Sequence, residues 1–194
     1  MSQVNEYTNL IRKMAVQLIS DYEQGIDVEG GINGPYDDPE TNVRNLSHLA
    51  VIVGIEIVKY KNNSYITVLE KIGKELINQR KENGLWIMRS KSSKDQCNGV
   101  IGHAWLNEGL LYLYKALKKT DYLEIAIEVS KKHIFSDKVG LWGRPTDGEI
   151  DYTLNHQLWY AATLAEINHY ANNSMFQKQI ERFFEQLPKN FTTN

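Results

Sequence analysis

Carboxylates and histidines that could exchange protons with a substrate recur in this sequence at similar distances behind a repeated phrase. The phrases are Gly31-Ile32-Asn33-Gly34, Gly84-Leu85-Trp86-Ile87 and Gly140-Leu141-Trp142-Gly143, and a histidine follows each at His48, His103 and His156. Around the first histidine lie Asp37, Asp38, Arg44 and Asn45; around the second, Asp95, Cys97 and Asn98; around the third, Arg144, Asp147, Glu149, Asp151 and Asn155. A carboxylic acid that protonates an oxygen, opposite a second carboxylate or imidazole acting as base, is the pairing needed to cleave a glycoside or to eliminate across a uronic acid. Asp151 is the first candidate for such a group, with His156 or His103 as its partner and Asp95 and Asp38 as the other acids. Arg44 and Arg144 suit a sugar carboxylate, because a guanidinium gives paired hydrogen bonds to one. Trp86, Trp142 and Tyr152 offer apolar ring faces for a sugar to stack on, while His48, Asn98 and Asn155 supply polar contacts.

The same residues admit blander readings. The Gly-Leu-Trp phrases can serve as turns whose tryptophans pack loops on helix ends, and the histidines can bond backbone carbonyls at helix starts. Trp105, Trp159, Tyr112 and Tyr114 lie inside helical patterns and read as core; His133 and His169 read as caps or surface groups.

Apolar residues at helical spacing fill most of the chain, and no stretch alternates in the manner of a strand. The expected fold is therefore all-α. Helices are predicted over Asn5–Glu23, Asn45–Tyr60, Ser64–Arg80, Gly99–Leu117, Asp121–His133, Thr153–Ala171 and Ser174–Leu187. The second, fourth and sixth are apolar almost all round and must be buried, whereas the others carry one apolar stripe. Connections into the buried helices are long, at residues 25–44, 81–98 and 134–152, and long loops in compact proteins are commonly functional. The arrangement predicts a single domain over 1–194, a stack of hairpin units at 25–80, 81–133 and 134–187, about three and a half helix pairs in all. The long loops then share one end, where the starts of three buried helices present unpaired N–H groups and attract anions.

Composition excludes other classes. With 194 residues, a net charge of −2 and a single cysteine, the chain has neither the basic character of a nucleic-acid binder nor the means for an internal disulfide. No apolar run reaches the length of a membrane span and the first residues lack a signal-peptide core, so a cytoplasmic protein is expected.

The repeat, with the phrases Asp95-Gln-Cys-Asn-Gly-Val-Ile-Gly-His-Ala-Trp105 and Ile150-Asp-Tyr-Thr-Leu-Asn-His-Gln-Leu-Trp159, resembles the α/α toroids of six-hairpin carbohydrate-active enzymes, especially a branch associated with bacterial polysaccharide biosynthesis clusters. The resemblance implies a glycoside hydrolase or lyase acting on an acidic or complex saccharide, without a cofactor or metal, and an incomplete toroid of about half a ring. Such a half ring would expose apolar flanks at Val51, Ile55, Val58, Leu158, Ala162 and Leu164, which a homodimer would bury unless the terminal helices cover them. A non-catalytic glycan-binding or assembly protein is the alternative. The Cys97-Asn98-Gly99 segment also resembles the zinc-binding phrase of lanthionine cyclases, but Asn98 stands where those have histidine, which makes a zinc-dependent relative the weaker alternative.

Overall fold

The structure, a computed structural model, describes residues 3–25, 43–87 and 99–191. The fold is all-α. Seven helices are described: α1 (Gln3–Gln24), α2 (Val43–Val58), α3 (Ile66–Asn78), α4 (Val100–Leu117), α5 (Thr120–Lys132), α6 (Leu154–Tyr170) and α7 (Gln177–Phe191). A small antiparallel hairpin, absent from the expectation, joins β1 (Ile134–Ser136) to β2 (Leu141–Gly143), with Phe135 opposite Trp142. Three-residue strands are too short to show an alternating pattern, which is why they are invisible in the sequence.

The apolar helices α2, α4 and α6 form an inner row, with α4 packed between the other two. They run parallel. Residues 44 and 48 of α2 lie by Trp105, Gly54 lies by Tyr112, and Lys115 reaches Glu166 of α6. Behind them α3 packs on α2 and α4, α5 on α4 and α6, and α7 on α6. Each outer helix presents one stripe: Val68, Leu69, Ile72 and Leu76 are buried on α3, and Tyr122, Leu123, Ala126 and Val129 on α5. This spacing of three and four residues is that of one helical face.

Two small residues let α2 and α4 approach closely. A Cβ on Gly109 would come within 2.9 Å of the Ser47 carbonyl oxygen, and one on Gly54 within 2.8 Å of Tyr112. α4 is thereby seated with most of its surface covered, leaving the strip Ile101, Trp105, Glu108, Tyr112 and Lys115 only partly buried. That strip forms, with the neighbouring edges of α2 and α6, the open face of the inner row.

Of the terminal helices, α1 covers part of the inner row. α1 packs on α2 with an ion pair from Arg12 to the buried Glu56, Arg12 Nη2 lying 2.8 Å from Glu56 Oε2, while its buried Tyr22 meets Lys71 of α3. Its remaining apolar stripe, Tyr7, Leu10, Ile11, Met14 and Leu18, is exposed. Among the expected flank residues Leu158 and Ala162 are exposed, Val51, Ile55 and Val58 are half-buried, and Leu164 is fully buried, because it faces the core between α6 and the outer row.

Candidate functional site

The turn between β2 and α6 brings acidic, basic and aromatic side chains to one place. Arg144 N–H donates to the Glu149 carbonyl at 3.0 Å and Gly148 N–H to the Arg144 carbonyl at 3.0 Å, closing a tight loop that returns the chain to β2. Gly148 has φ +71°, a left-handed conformation that glycine adopts without strain. Gly143 bridges Ile150, and a Cβ there would meet the Gly148 carbonyl oxygen at 2.5 Å, so no side chain fits. Arg144, paired with Asp147 and Glu149, and Asp151 consequently end side by side on a cleft of about 190 Å³. Gly99, Ile150 and Tyr152 complete its lining.

Asp151 and His156 meet across the start of α6. Asp151 Oδ2 lies 2.7 Å from His156 Nδ1, while its Oδ1 accepts from the Thr153 N–H at 2.9 Å. A carboxylate with both oxygens so engaged takes the Nδ1 proton of the imidazole in hydrogen bonding and leaves Nε2 with the lone pair. The side chains are 19% and 29% exposed, accessible yet held. Tyr152 (63% exposed) and Asn155 stand outward beside them.

Gln157 holds this assembly in place. Its Nε2 donates to the carbonyls of Trp142 (2.8 Å) and Asp151 (2.6 Å), and its Oε1 accepts from the Trp142 N–H at 3.0 Å. The buried amide thus ties β2, the Asp151 backbone and α6 together. Sequence reasoning missed it; a glutamine one residue beyond a candidate histidine, inside an apolar helix, was the available signal.

A second polar and aromatic cluster lies on the open face of the inner row. The Arg44 guanidinium sits 4.8 Å from the Trp105 ring centroid, His48 is 5.3 Å from Trp105, and Trp159 meets Trp105 edge-to-face at 6.3 Å. Trp159 Nε1–H donates to Glu108 Oε2 at 3.3 Å. Burial raises the Glu108 carboxyl above the usual range, with Glu166 adding to the rise while the Trp159 hydrogen bond and Lys115 oppose it. Burial, aided by Arg44, pushes His48 down. The buried Trp105 N–H has no partner, a cost of about 1–3 kcal/mol. Sequence reasoning assigned Trp105 and Trp159 to the core, but Trp159 is 39% exposed and Trp105 half-buried.

The three repeat histidines do not converge. His48 turns to Trp105 and His156 to Asp151, while His103 is fully buried with its Nδ1 2.7 Å from His133 Nε2. His133, expected as a cap or surface group, is buried too, because α4 and α5 run antiparallel and bring the two imidazoles together. Trp86 and Trp142 are likewise in the core, their indole N–H groups bonded to the Leu76 carbonyl (2.7 Å) and Gln179 Oε1 (3.0 Å), so neither offers a ring face to a sugar. The glycines of their phrases, Gly84 and Gly140, have φ +77° and +69°. There the repeated phrase is a turn with a packing tryptophan. Asp38, Asp95, Asn98 and Cys97 lie outside the described residues. Among the described residues no group of three or more His, Cys, Asp or Glu side chains is placed to hold a metal, and no helix is long and apolar enough to cross a membrane.

The chain is 34% identical over 184 residues to a curated protein of Haloferax volcanii, archaeal glycosylation protein Q, with 88% of this chain and 49% of that protein covered. It therefore spans about half the length of that relative. No family model matches the chain, and no solved structure matches it significantly.

Proposed function

We propose that the chain belongs to a saccharide-processing enzyme of glycan biosynthesis, hydrolase- or lyase-like, that works on an acidic or complex saccharide at the Asp151–His156 pair. The observation that carries this reading is the 2.7 Å contact between Asp151 and His156 on the same turn as the Arg144-lined cleft. In it His156 Nε2 is the proton acceptor, and Asp151 orients the ring and stabilises the imidazolium once formed. Arg144 and Tyr152 contact the saccharide beside it. The likeness to a protein named for glycosylation supports the substrate class. The parallel inner row with an outer row behind it supports the α/α-toroid resemblance, and the proposal extends to a cytoplasmic homodimer.

The test is incubation of the protein with a panel of acidic oligosaccharides followed by mass analysis. A product that forms with the wild type and not with Asp151→Asn, which keeps the Thr153 cap acceptor, supports the reading. Thermal stabilisation without product would replace it with a glycan-binding function.

A further inference from the structure

His156 and Trp159 are three residues apart on α6, about 4.5 Å along the helix axis, so this cluster begins nearly one helical turn beyond the Asp151–His156 pair. That distance is comparable to the length of one sugar ring. Trp159 is the exposed member of the cluster; its ring is held edge-on by Trp105 and its Nε1–H is fixed on Glu108. An indole so held keeps a face toward solvent at little further cost in side-chain entropy, which is what a flat, weakly polar ligand surface needs. The Glu108 carboxylate spends one oxygen on that bond and has further acceptor sites. Its surroundings are defined: Glu166 and Lys115, themselves paired at 2.8 Å, lie beyond it along the face.

We propose that this strip is a second saccharide subsite, in which one pyranose ring lies on the exposed face of Trp159 and a ring hydroxyl donates to Glu108. It rests on the saccharide reading above and deepens it: the ligand has at least two sugar units, one at the Asp151–His156 turn and the next on Trp159. Residues from three helices build the strip, α2 contributing the Arg44 and His48 backing of Trp105, so the subsite depends on the packing of the inner row.

Calorimetric titration of the full chain with maltose, cellobiose and cellobiouronic acid tests it, alongside Trp159→Ala, Trp159→Phe and Glu108→Gln. The expected result is that at least one disaccharide binds the wild type, that Trp159→Ala and Glu108→Gln each weaken it about tenfold, or about 1.4 kcal/mol, and that Trp159→Phe retains most of the affinity. The corresponding monosaccharides should bind with affinities that none of the variants changes. Equal disaccharide affinity in wild type, Trp159→Ala and Glu108→Gln would overturn the subsite while leaving the Asp151–His156 reading standing. Failure of all three disaccharides to bind would overturn the subsite, while turnover of a longer acidic oligosaccharide would still leave the Asp151–His156 reading standing. Binding with the expected losses but no turnover of any oligosaccharide would keep the subsite and remove the catalytic reading alone.

Discussion

His133 donates its Nδ1–H to the Gly143 carbonyl at 2.9 Å, and that bond decides the state of His103, 2.7 Å away. With Nδ1 of His133 carrying the proton, its Nε2 must accept, so His103 donates from Nδ1 and its own Nε2 is left as a buried acceptor with no partner. Two imidazoles so arranged are both neutral, and adding a proton to either would put a charge in the core.

Stability should therefore fall as the solution is acidified through the histidine range. Burial lowers His133 to about 4 and pushes His103 down as well. Both stay unprotonated in the fold while the unfolded chain takes up protons near pH 6.5, so the stabilisation is whole above pH 6.5 and lost as pH drops toward 4. For His133 alone the loss is about 2 kcal/mol by pH 5. Carboxylates with lowered values, such as Glu128, act below this window. Urea midpoints equal at pH 7 and pH 5 would contradict the assignment.

Gln157→Leu should cost both stability and activity. It leaves the Trp142 N–H and the carbonyls of Trp142 and Asp151 without their side-chain partner, each buried group worth about 1–3 kcal/mol when unsatisfied. A melting temperature lowered by several degrees, with activity lost even where the protein remains folded, is the expected outcome. Unchanged turnover would show that Asp151 does not need this support.

What the sequence disclosed follows from what periodicity can carry. The long apolar runs of α2 and α4 and the single stripes of α3 and α5 report burial directly, so the all-α fold was legible, whereas α6, also expected to be buried all round, leaves Leu158, Trp159 and Ala162 exposed. Asp151 and His156 are five residues apart across a helix start, and their pairing was within reach of local reasoning. His103 and His133 are thirty residues apart, and only the antiparallel packing of α4 on α5 brings them together. Glu108 and Trp159 were hidden for the same reason, since which side of an apolar helix stays open depends on its neighbours. The three histidines misled because they follow their phrases at 17, 19 and 16 residues and fall at the sixth, fourth and third positions of α2, α4 and α6, so similar spacing in sequence gave unequal facing.

The approach of α2 to α4 predicts a contrast between two glycines. Gly109→Ala gains helix propensity but drives a methyl group into the Ser47 backbone at 2.9 Å, which cannot yield as a side-chain tip would. A net loss of about 1–3 kcal/mol is expected. Gly99, ahead of the first turn of α4, meets nothing within 4 Å of an added Cβ among the described residues, and Gly99→Ala should cost far less. Equal denaturation midpoints for the two variants would refute the close crossing.

Arg12 should matter through Glu56. Glu56 is 1% exposed and takes two guanidinium bonds, Nε to Oε1 at 3.0 Å and Nη2 to Oε2 at 2.8 Å. Arg12→Met strands a buried carboxylate, whereas Arg12→Met with Glu56→Leu removes both charges. The single variant should melt several degrees lower than the double. The reverse order would show that the pair is dispensable and that the buried apolar residues of α1, Ile19 and Tyr22, hold the helix in place.

The exposed side of α1 predicts self-association. Tyr7, Leu10, Ile11, Met14 and Leu18 follow steps of three, one, three and four residues, a single stripe, and are each between 46% and 65% exposed. Contiguous apolar patches of several hundred Å² are unusual on monomers. The stripe lies on the helix that packs on α2, so two copies related by a two-fold axis would set α1 against α1, each residue meeting its counterpart region as an isologous contact requires. Leu158, Trp159 and Ala162 of α6 are exposed too, but they are fewer, and Leu158 and Trp159 are less exposed than the five of the α1 stripe, which makes α1 the stronger contact. Light scattering at micromolar concentration should give twice the 22.4 kDa chain mass. Ile11→Asp with Met14→Asp, both at exposed positions, should return the monomer mass without lowering the melting temperature extrapolated to low concentration. A wild type that scatters as a monomer throughout would remove the homodimer.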